Sequence, residues 1–104
     1  MAEPKNRLRP VHPGEILKED VLATMGLSAN ALARELRVPV TRISEILHGR
    51  RAITADTALR LARYLGTTAQ FWLNLQASYD LKIAEQALGR QIERDIHPRE
   101  PVAA

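Results

Sequence analysis

The chain has no cysteine, and it has only one tryptophan, two tyrosines and one phenylalanine among 104 residues. Without cysteine it can form no disulfide and offer no thiolate, which fits a reducing cytoplasm. Because aromatic residues are few, its 45% hydrophobic content must come mostly from Leu, Ile, Val and Ala, a composition that suits packed helices. No apolar run is long enough to span a membrane, and the charged start MAEPKNRLRP lacks the apolar region of a signal peptide. We expect one cytoplasmic domain that has no membrane partner.

The side-chain patterns that catalysis requires are also missing. His12, His48 and His97 are far apart in the sequence, and none has the HExxH spacing of a zinc peptidase. The chain has no glycine-rich phosphate loop, and the adjacent carboxylates Glu19 and Asp20 point in different directions on a helix. We therefore predict that the protein is not an enzyme and requires no cofactor or metal.

Residues 28–47 carry the pattern that organises the chain: SANALARELRVPVTRISEIL. Ser28 is a good N-cap for a first helix, and the residue before Pro39 is disfavoured in a helix, so the first helix should end there. A second helix then has Ile43, Ile46 and Leu47 on its inner side. Its outer side is polar or β-branched, and the residues are Val40, Thr41, Ser44, Glu45 and His48. This pattern predicts a helix-turn-helix DNA-binding motif, although spacing alone leaves an ordinary αα-hairpin open.

The distribution of charge favours DNA binding. Residues 1–51 contain 9 Lys/Arg and 6 Asp/Glu, whereas residues 52–104 contain 6 of each, so all of the net +3 lies in the half with the motif. The adjacent Arg50 and Arg51 follow the second helix of the motif and are suited to phosphate contacts. Residues 1–11 read as a flexible basic arm, either solvated or lying in a groove of the DNA.

Three further helices are predicted around the motif. His12-Pro13-Gly14-Glu15 opens the first helix, since proline is well tolerated at the first helical position and Glu15 lies in its first turn. Another helix runs from the N-cap Thr54 to Gly66. The last helix, residues 68–88, is capped by Thr68 and ends before Gly89, although Ile92 and Ile96 leave open an extension that His97-Pro98 would end. Residues 93–104 are predicted to form a disordered tail.

The last helix has two apolar stripes, and one is enough to dock on a small bundle. The first stripe contains Trp72, Leu75, Tyr79 and Ile83, and the second contains Leu73, Ala77, Leu81, Ala84 and Leu88. Two stripes indicate a homodimer, and we assign the dimer interface to Trp72, Leu75, Tyr79 and Ile83. The alternative is a deeply buried helix whose Phe71 and Trp72 fill the core.

Three consecutive segments together resemble the HigA-type antitoxins of bacterial toxin–antitoxin operons, a branch of the phage-repressor-like (Xre) superfamily. The segments are HPGEILKEDVL, LARELRVPVTRISEILHGRRAIT and TALRLARYLGTTAQFWLNLQASYDLKIAE. The resemblance covers about residues 11–88, and the HPGE start and the FWLNLQ…YDL segment are specific to this branch. It implies an all-α, five-helix bundle of the lambda-repressor-like DNA-binding type, spanning residues 12–92. It also implies a homodimer that binds a palindromic double-stranded DNA operator, represses its own operon and neutralises a small basic toxin of the HigB type, an mRNA endonuclease.

The resemblance also suggests which residues contact DNA. Those on the second helix of the motif are Val40, Thr41, Arg42, Ser44, Glu45 and, from its outward position, His48; the others are Ser28, Asn30, Arg50 and Arg51. Two positions depart from the superfamily pattern. Arg37 stands in the turn where glycine is usual, and Ala29 stands where a phosphate-binding glutamine is common. An orphan regulator without a toxin, and a protein-interaction module with little DNA binding, stay open as alternatives.

Overall fold

The structure is a computed structural model that describes residues 9–100, and this part of the chain contains five helices and no strand. Helix α1 consists of three consecutive segments, Pro13–Ile16, Leu17–Leu22 and Ala23–Met25. The others are α2 (Ala29–Leu36), α3 (Val40–Leu47), α4 (Ala55–Leu65) and α5 (Ala69–Asp95). The all-α architecture with a long C-terminal helix is thereby confirmed. Most of the predicted arm and the end of the predicted tail, residues 1–8 and 101–104, lie outside the described residues.

Helix α1 begins against the backbone of α3. His12 is its N-cap, and the Gly14 amide donates to His12 Nδ1 at 2.9 Å. Pro13 and Gly14 are buried, and an added Cβ on Gly14 would lie 1.7 Å from the carbonyl oxygen of Ile46. Only glycine therefore allows the two helices to approach this closely. Just before the helix, Arg9 forms an ion pair with Glu15 at 3.0 Å.

The middle of α1, Leu17–Leu22, is π-helical rather than α-helical. In a π-turn the hydrogen bond runs from residue i to residue i+5, so residues five apart come to nearly the same side of the helix. Leu17 and Leu22 are five apart and both are buried. Met25, which regular helical spacing predicts in the buried stripe, is instead exposed.

The helix-turn-helix motif has the predicted bounds. Ser28 Oγ accepts a hydrogen bond from the Ala31 amide at 3.0 Å, which caps α2. Arg37 ends α2 with φ 60° and ψ 45°, the left-handed conformation that glycine normally takes at this position. Pro39, in an extended conformation, directly precedes the first residue of α3. The Arg60 guanidinium of α4 donates to the Leu36 carbonyl at 2.8 Å, and this contact satisfies one free carbonyl at the end of α2.

Replacing Arg37 with glycine is expected to raise the free energy of unfolding by about 0.5–1 kcal/mol, because glycine has no Cβ penalty in the left-handed region. Arg34→Gly, one turn earlier inside α2, is the matched control and should lower it by about 1 kcal/mol. Urea denaturation of both variants measures the two effects. A loss of stability in Arg37→Gly would show that the arginine side chain contributes more than its backbone strain costs.

The core lies where α1, α2, α3 and α4 meet the first half of α5. It consists almost entirely of aliphatic side chains around one indole; the members are Leu17, Leu22, Leu32, Ala33, Leu36, Ile43, Ile46, Ile53, Ala58, Leu61 and Trp72. Trp72 is 1% exposed, and its indole Nε1 donates to Thr67 Oγ1 at 2.8 Å, so the polar edge of the ring is satisfied.

Helix α5 continues past Gly89 to Asp95, so the longer of the two predicted helices is the one that forms. The end at residue 88 is wrong, and so is the disordered tail for residues 93–95. A single glycine costs a helix only about 1 kcal/mol, and the residues after it are good helix formers. The helix ends instead before His97-Pro98, where the proline restricts the preceding backbone. From Asp80 onward the side chains of α5 are exposed, apart from half-buried Gly89, so this half projects from the bundle. The radius of gyration is accordingly 17.6 Å, against about 13 Å for a compact chain of this length.

Candidate nucleic-acid interface

Helix α3 presents the outer face that the sequence predicts. Ile43 and Ile46 are fully buried and fix the helix on the core. Val40 and Thr41 are exposed at its start, whereas Ser44 and Glu45 are half-buried one turn later. Exposed His48 follows the helix, and its Nδ1 lies 2.8 Å from the Ser44 carbonyl. A helix with one side anchored and short polar groups on the other can enter the major groove of DNA.

Arg42 does not extend freely into solvent. Its Nη1 group donates to Asp56 Oδ2 at 2.5 Å and lies 3.4 Å from Thr57 Oγ1, and both acceptors are on α4. Asp56 also accepts from Arg60 Nε at 3.1 Å. The hydrogen bond from Arg42, and then that from Arg60, lowers the pKa of the Asp56 carboxyl, so this group is ionised at neutral pH.

The loop after α3 carries Arg50 and Arg51, both exposed. Arg51 pairs with Glu45 at 2.7 Å, which links the loop to the outer face of α3. Further along the loop, the Ile53 amide donates to the buried Gln76 Oε1 of α5 at 2.8 Å. This loop is therefore held at both ends, with both arginine side chains exposed to solvent.

His12 packs beneath the same loop. Its ring lies 3.8 Å from the position that a Cβ on Gly49 would occupy, and it meets the Tyr79 ring edge-on at 4.9 Å. Burial lowers the pKa of His12, against the opposing effects of a backbone hydrogen bond with Arg51 and the charge of Asp80. The neutral imidazole accepts from Gly14 at Nδ1, so this histidine is a helix cap and a packing group.

Ser28 and Asn30 lie at the start of α2. Both are exposed, and the Ser28 hydroxyl already accepts the capping hydrogen bond from Ala31. Its O–H can still donate to a phosphate oxygen, and the N-terminal amides of α2 favour an anion there. The ten residues predicted to contact DNA thus lie on α2, α3 and the loop after α3. Their contacts with DNA stay predictions.

The first stripe of α5, to which the sequence analysis assigns the dimer interface, mostly faces the bundle. Trp72 is fully buried, and Leu75 and Tyr79 are half-buried against the bundle, so the first stripe docks α5 on its own core. Assigning Trp72 to the dimer interface is therefore wrong, since a 1% exposed side chain cannot contact a partner. Ile83, one turn beyond, is 41% exposed, and Phe71 is 43% exposed instead of filling the core.

The second stripe is the one left open to solvent. We use "outer stripe" for Ala77, Leu81, Ala84, Leu88 and Ile92, all of which are exposed. Leu73, which begins the second stripe in the sequence, is half-buried against the core instead. An unpartnered apolar stripe on a projecting helix favours association with a second apolar surface.

Sequence reasoning missed three residues that hold the predicted DNA-contacting surface in place. Asp56 lies in the first turn of α4, and its i, i+4 spacing from Arg60 is a signal of a side-chain pair. Arg60 reaches from α4 to the end of α2, a contact that its place in the helical pattern does not indicate. Gln76 is a polar residue in register with Trp72 on the buried side of α5, a pattern that signals a buried hydrogen bond.

Residues 9–100 contain no cluster of three or more His, Cys, Asp or Glu side chains that could hold a metal ion. None of the helices described is both long and apolar enough to cross a membrane.

Comparison with known proteins places this geometry in a family. Residues 18–72 match the family model described as helix-turn-helix. The chain is 61% identical over 82 residues to virulence-associated protein I of Dichelobacter nodosus, which covers 79% of this chain and 76% of the relative. An addiction module antidote protein of a HigA family from Coxiella burnetii superposes with a TM-score of 0.84 at 53% identity, covering 88% of this chain and 99% of the other. The Pseudomonas aeruginosa antitoxin HigA, solved with the higBA promoter, superposes with a TM-score of 0.85 at 49% identity, covering 86% and 98%. The chain belongs to the helix-turn-helix family of HigA-type antitoxins.

Proposed function

We propose that this protein is a sequence-specific DNA-binding antitoxin that represses its own toxin–antitoxin operon and neutralises a partner mRNA-endonuclease toxin of the HigB type. It acts as a homodimer on a palindromic operator, in the cytoplasm. The observation that carries the proposal is the outer face of α3, whose polar side chains are exposed or half-buried while Ile43 and Ile46 anchor the helix. The similarity to a HigA protein solved with promoter DNA supports the same use of this face.

The side chains on this face can divide the work of recognition. Arg42 can bind guanine O6 and N7 through two N–H groups, and Glu45 can accept from cytosine N4 once its pair with Arg51 opens. The Val40 side chain can contact a thymine methyl group. Arg50 and Arg51 can bind phosphates, which adds affinity that carries no sequence information and weakens with salt.

Arg42→Ala is expected to weaken binding to the operator by roughly tenfold or more while leaving binding to random DNA almost unchanged, because it removes a bidentate base contact. Arg50→Ala should weaken both by the same factor and make binding less salt-dependent. Fluorescence anisotropy titrations at two salt concentrations, with the chain's own upstream DNA and a random duplex, measure both effects. Equal losses on both duplexes for Arg42→Ala would exclude it from base recognition.

The same titration tests the proposed function itself. Wild-type protein should bind its upstream DNA much more tightly than random DNA and saturate at two chains per palindromic site. Binding no tighter than to random DNA would contradict autorepression. The antitoxin role is tested separately, by co-purification with the product of an adjacent small basic reading frame and by protection of mRNA from it. Operator binding without such a complex would leave a regulator that has no toxin.

A further inference from the structure

Asp56 connects α3, the helix proposed to recognise the DNA bases and called the recognition helix below, to the rest of the bundle. The connection consists of three contacts. Arg42 on α3 donates to Asp56 Oδ2 at 2.5 Å, and Arg60 donates to Asp56 Oδ1 at 3.1 Å. Arg60 also donates to the Leu36 carbonyl at 2.8 Å, so it is fixed to the end of α2. Arg60 thus fixes the Asp56 carboxylate, and the carboxylate in turn fixes Arg42.

The pairing leaves the part of Arg42 that recognises bases available. Within residues 9–100, the side-chain hydrogen bonds of Arg42 all run through Nη1, to Asp56 and Thr57. A guanidinium has five N–H donors in a rigid fork, so its Nε–Nη2 edge still offers two parallel donors. Two parallel donors are what guanine O6 and N7 require. Arg42 can therefore bind Asp56 and a guanine at the same time.

We propose that Asp56 is a positioning residue for base recognition, which fixes the direction of the Arg42 guanidinium so that its free edge meets one base pair of the operator. The inference rests on the proposed function, since it concerns how the same DNA-binding face selects its sequence. Without Asp56 the long arginine side chain would regain several rotamers, and fixing it on the DNA would cost entropy. A mobile arginine would also find phosphates as readily as bases.

The alternative role for Asp56, competition with DNA for Arg42, predicts a different result. A carboxylate that only competes with DNA for Arg42 would weaken binding to every duplex, and its removal would tighten binding. The anchoring of Asp56 by Arg60 favours positioning, because Arg60 is itself fixed to the end of α2 and so holds the carboxylate in place. Asp56 itself is exposed, with 53% of its side-chain surface accessible, so its replacement by asparagine should leave the fold intact.

The test compares Asp56→Asn with Glu35→Gln, which removes one negative charge from the same groove between α2 and α4. Dissociation constants are measured for the operator and for each of its single base-pair substitutions. Arg42→Ala first identifies the base pair at which discrimination is lost. Asp56→Asn should then lose roughly tenfold of the discrimination at that pair and none elsewhere. Glu35→Gln should keep it all, and both charge variants should bind random DNA slightly more tightly than wild type.

If the role of Asp56 were purely structural, Asp56→Asn would lower the thermal midpoint of unfolding and reduce discrimination at all base pairs alike. A loss of discrimination confined to one base pair therefore decides between the two roles. Asp56→Glu, which keeps the charge, should retain part of the discrimination. The inference would be overturned if Asp56→Asn kept full discrimination, or if its affinity for the operator rose over wild type by more than its affinity for random DNA. Either result would leave the proposed function intact. If the wild type shows no preference for its operator, both fail together.

Discussion

Replacing Gly14 with alanine is expected to lower the free energy of unfolding by ~3 kcal/mol or more, at the upper end of what overpacking costs. The added Cβ would lie 1.7 Å from the carbonyl oxygen and 2.6 Å from the carbonyl carbon of Ile46. Both are backbone atoms of the recognition helix, so no side-chain rotation can relieve the clash. The start of α1 must move away from α3, which opens the core around Leu17.

The control is the same substitution elsewhere in the chain. Gly89 lies inside α5, and a Cβ there would meet nothing within 4 Å. Gly89→Ala should therefore raise the free energy of unfolding by about 0.5–1 kcal/mol, since alanine favours a helix more than glycine. Chemical denaturation of both variants should show changes of opposite sign. Wild-type stability in Gly14→Ala would mean that α1 can shift without loss, and that the close approach to Ile46 is not needed.

Residues 12–15, HPGE, both begin α1 and pack it closely against α3 at Gly14. The sequence predicted that these residues open a helix, from the known preferences for Pro13 and Glu15 at its first positions. A capping role for His12 is among the roles that the sequence predicts, but the packing of its ring under Gly49 and against Tyr79 is not. Such contacts join residues more than thirty positions apart in sequence, and local propensity carries no information about them.

The helix-turn-helix was predictable because both of its helices follow a regular period and each boundary has a local cause. Ser28 caps α2 and Pro39 precedes α3 as expected. Arg37 does take the left-handed conformation that its position in the turn requires. The contacts of Arg42 and Arg60 were not predictable, because long arginine side chains can reach several elements and only the packing of α4 selects among them.

The two stripes of α5 show where helical periodicity ceases to be informative. Both repeat with a helical spacing, so the pattern predicts two apolar faces and gives no preference for either as the core-facing one. Trp72 and Gln76 decide the question through specific partners, Thr67 and the Ile53 amide. With the first stripe buried in this way, the outer stripe is the surface available for a second copy of the chain.

The outer stripe is therefore the dimer interface that we now propose, and it contains side chains that are costly to leave in water. Leu81 is 60% exposed and Leu88 is 47% exposed, although each could contribute about 1.5–3 kcal/mol when fully buried. Two copies of one stripe related by a two-fold axis would bury these leucines and give the dimer two copies of α3. That arrangement matches the two half-sites of a palindromic operator.

The double variant Leu81→Lys/Leu88→Lys is expected to be a folded monomer that binds the operator roughly a hundredfold or more weakly than wild type. Linking two half-site contacts gains about 10²–10⁴ in apparent affinity, and a monomer loses that gain without losing any DNA-contacting residue. Sedimentation velocity measures the oligomeric state, and anisotropy titration of whole operator and single half-site measures the affinities. The half-site affinity should not fall, since the substitutions lie far along α5 from α3.

Leu59→Lys, an equally non-conservative change of a 63% exposed leucine on α4, is the matched control and should remain dimeric. A double variant that still sediments as a dimer would place the interface elsewhere, whereas a monomer with wild-type operator affinity would show that dimerisation and DNA binding are independent.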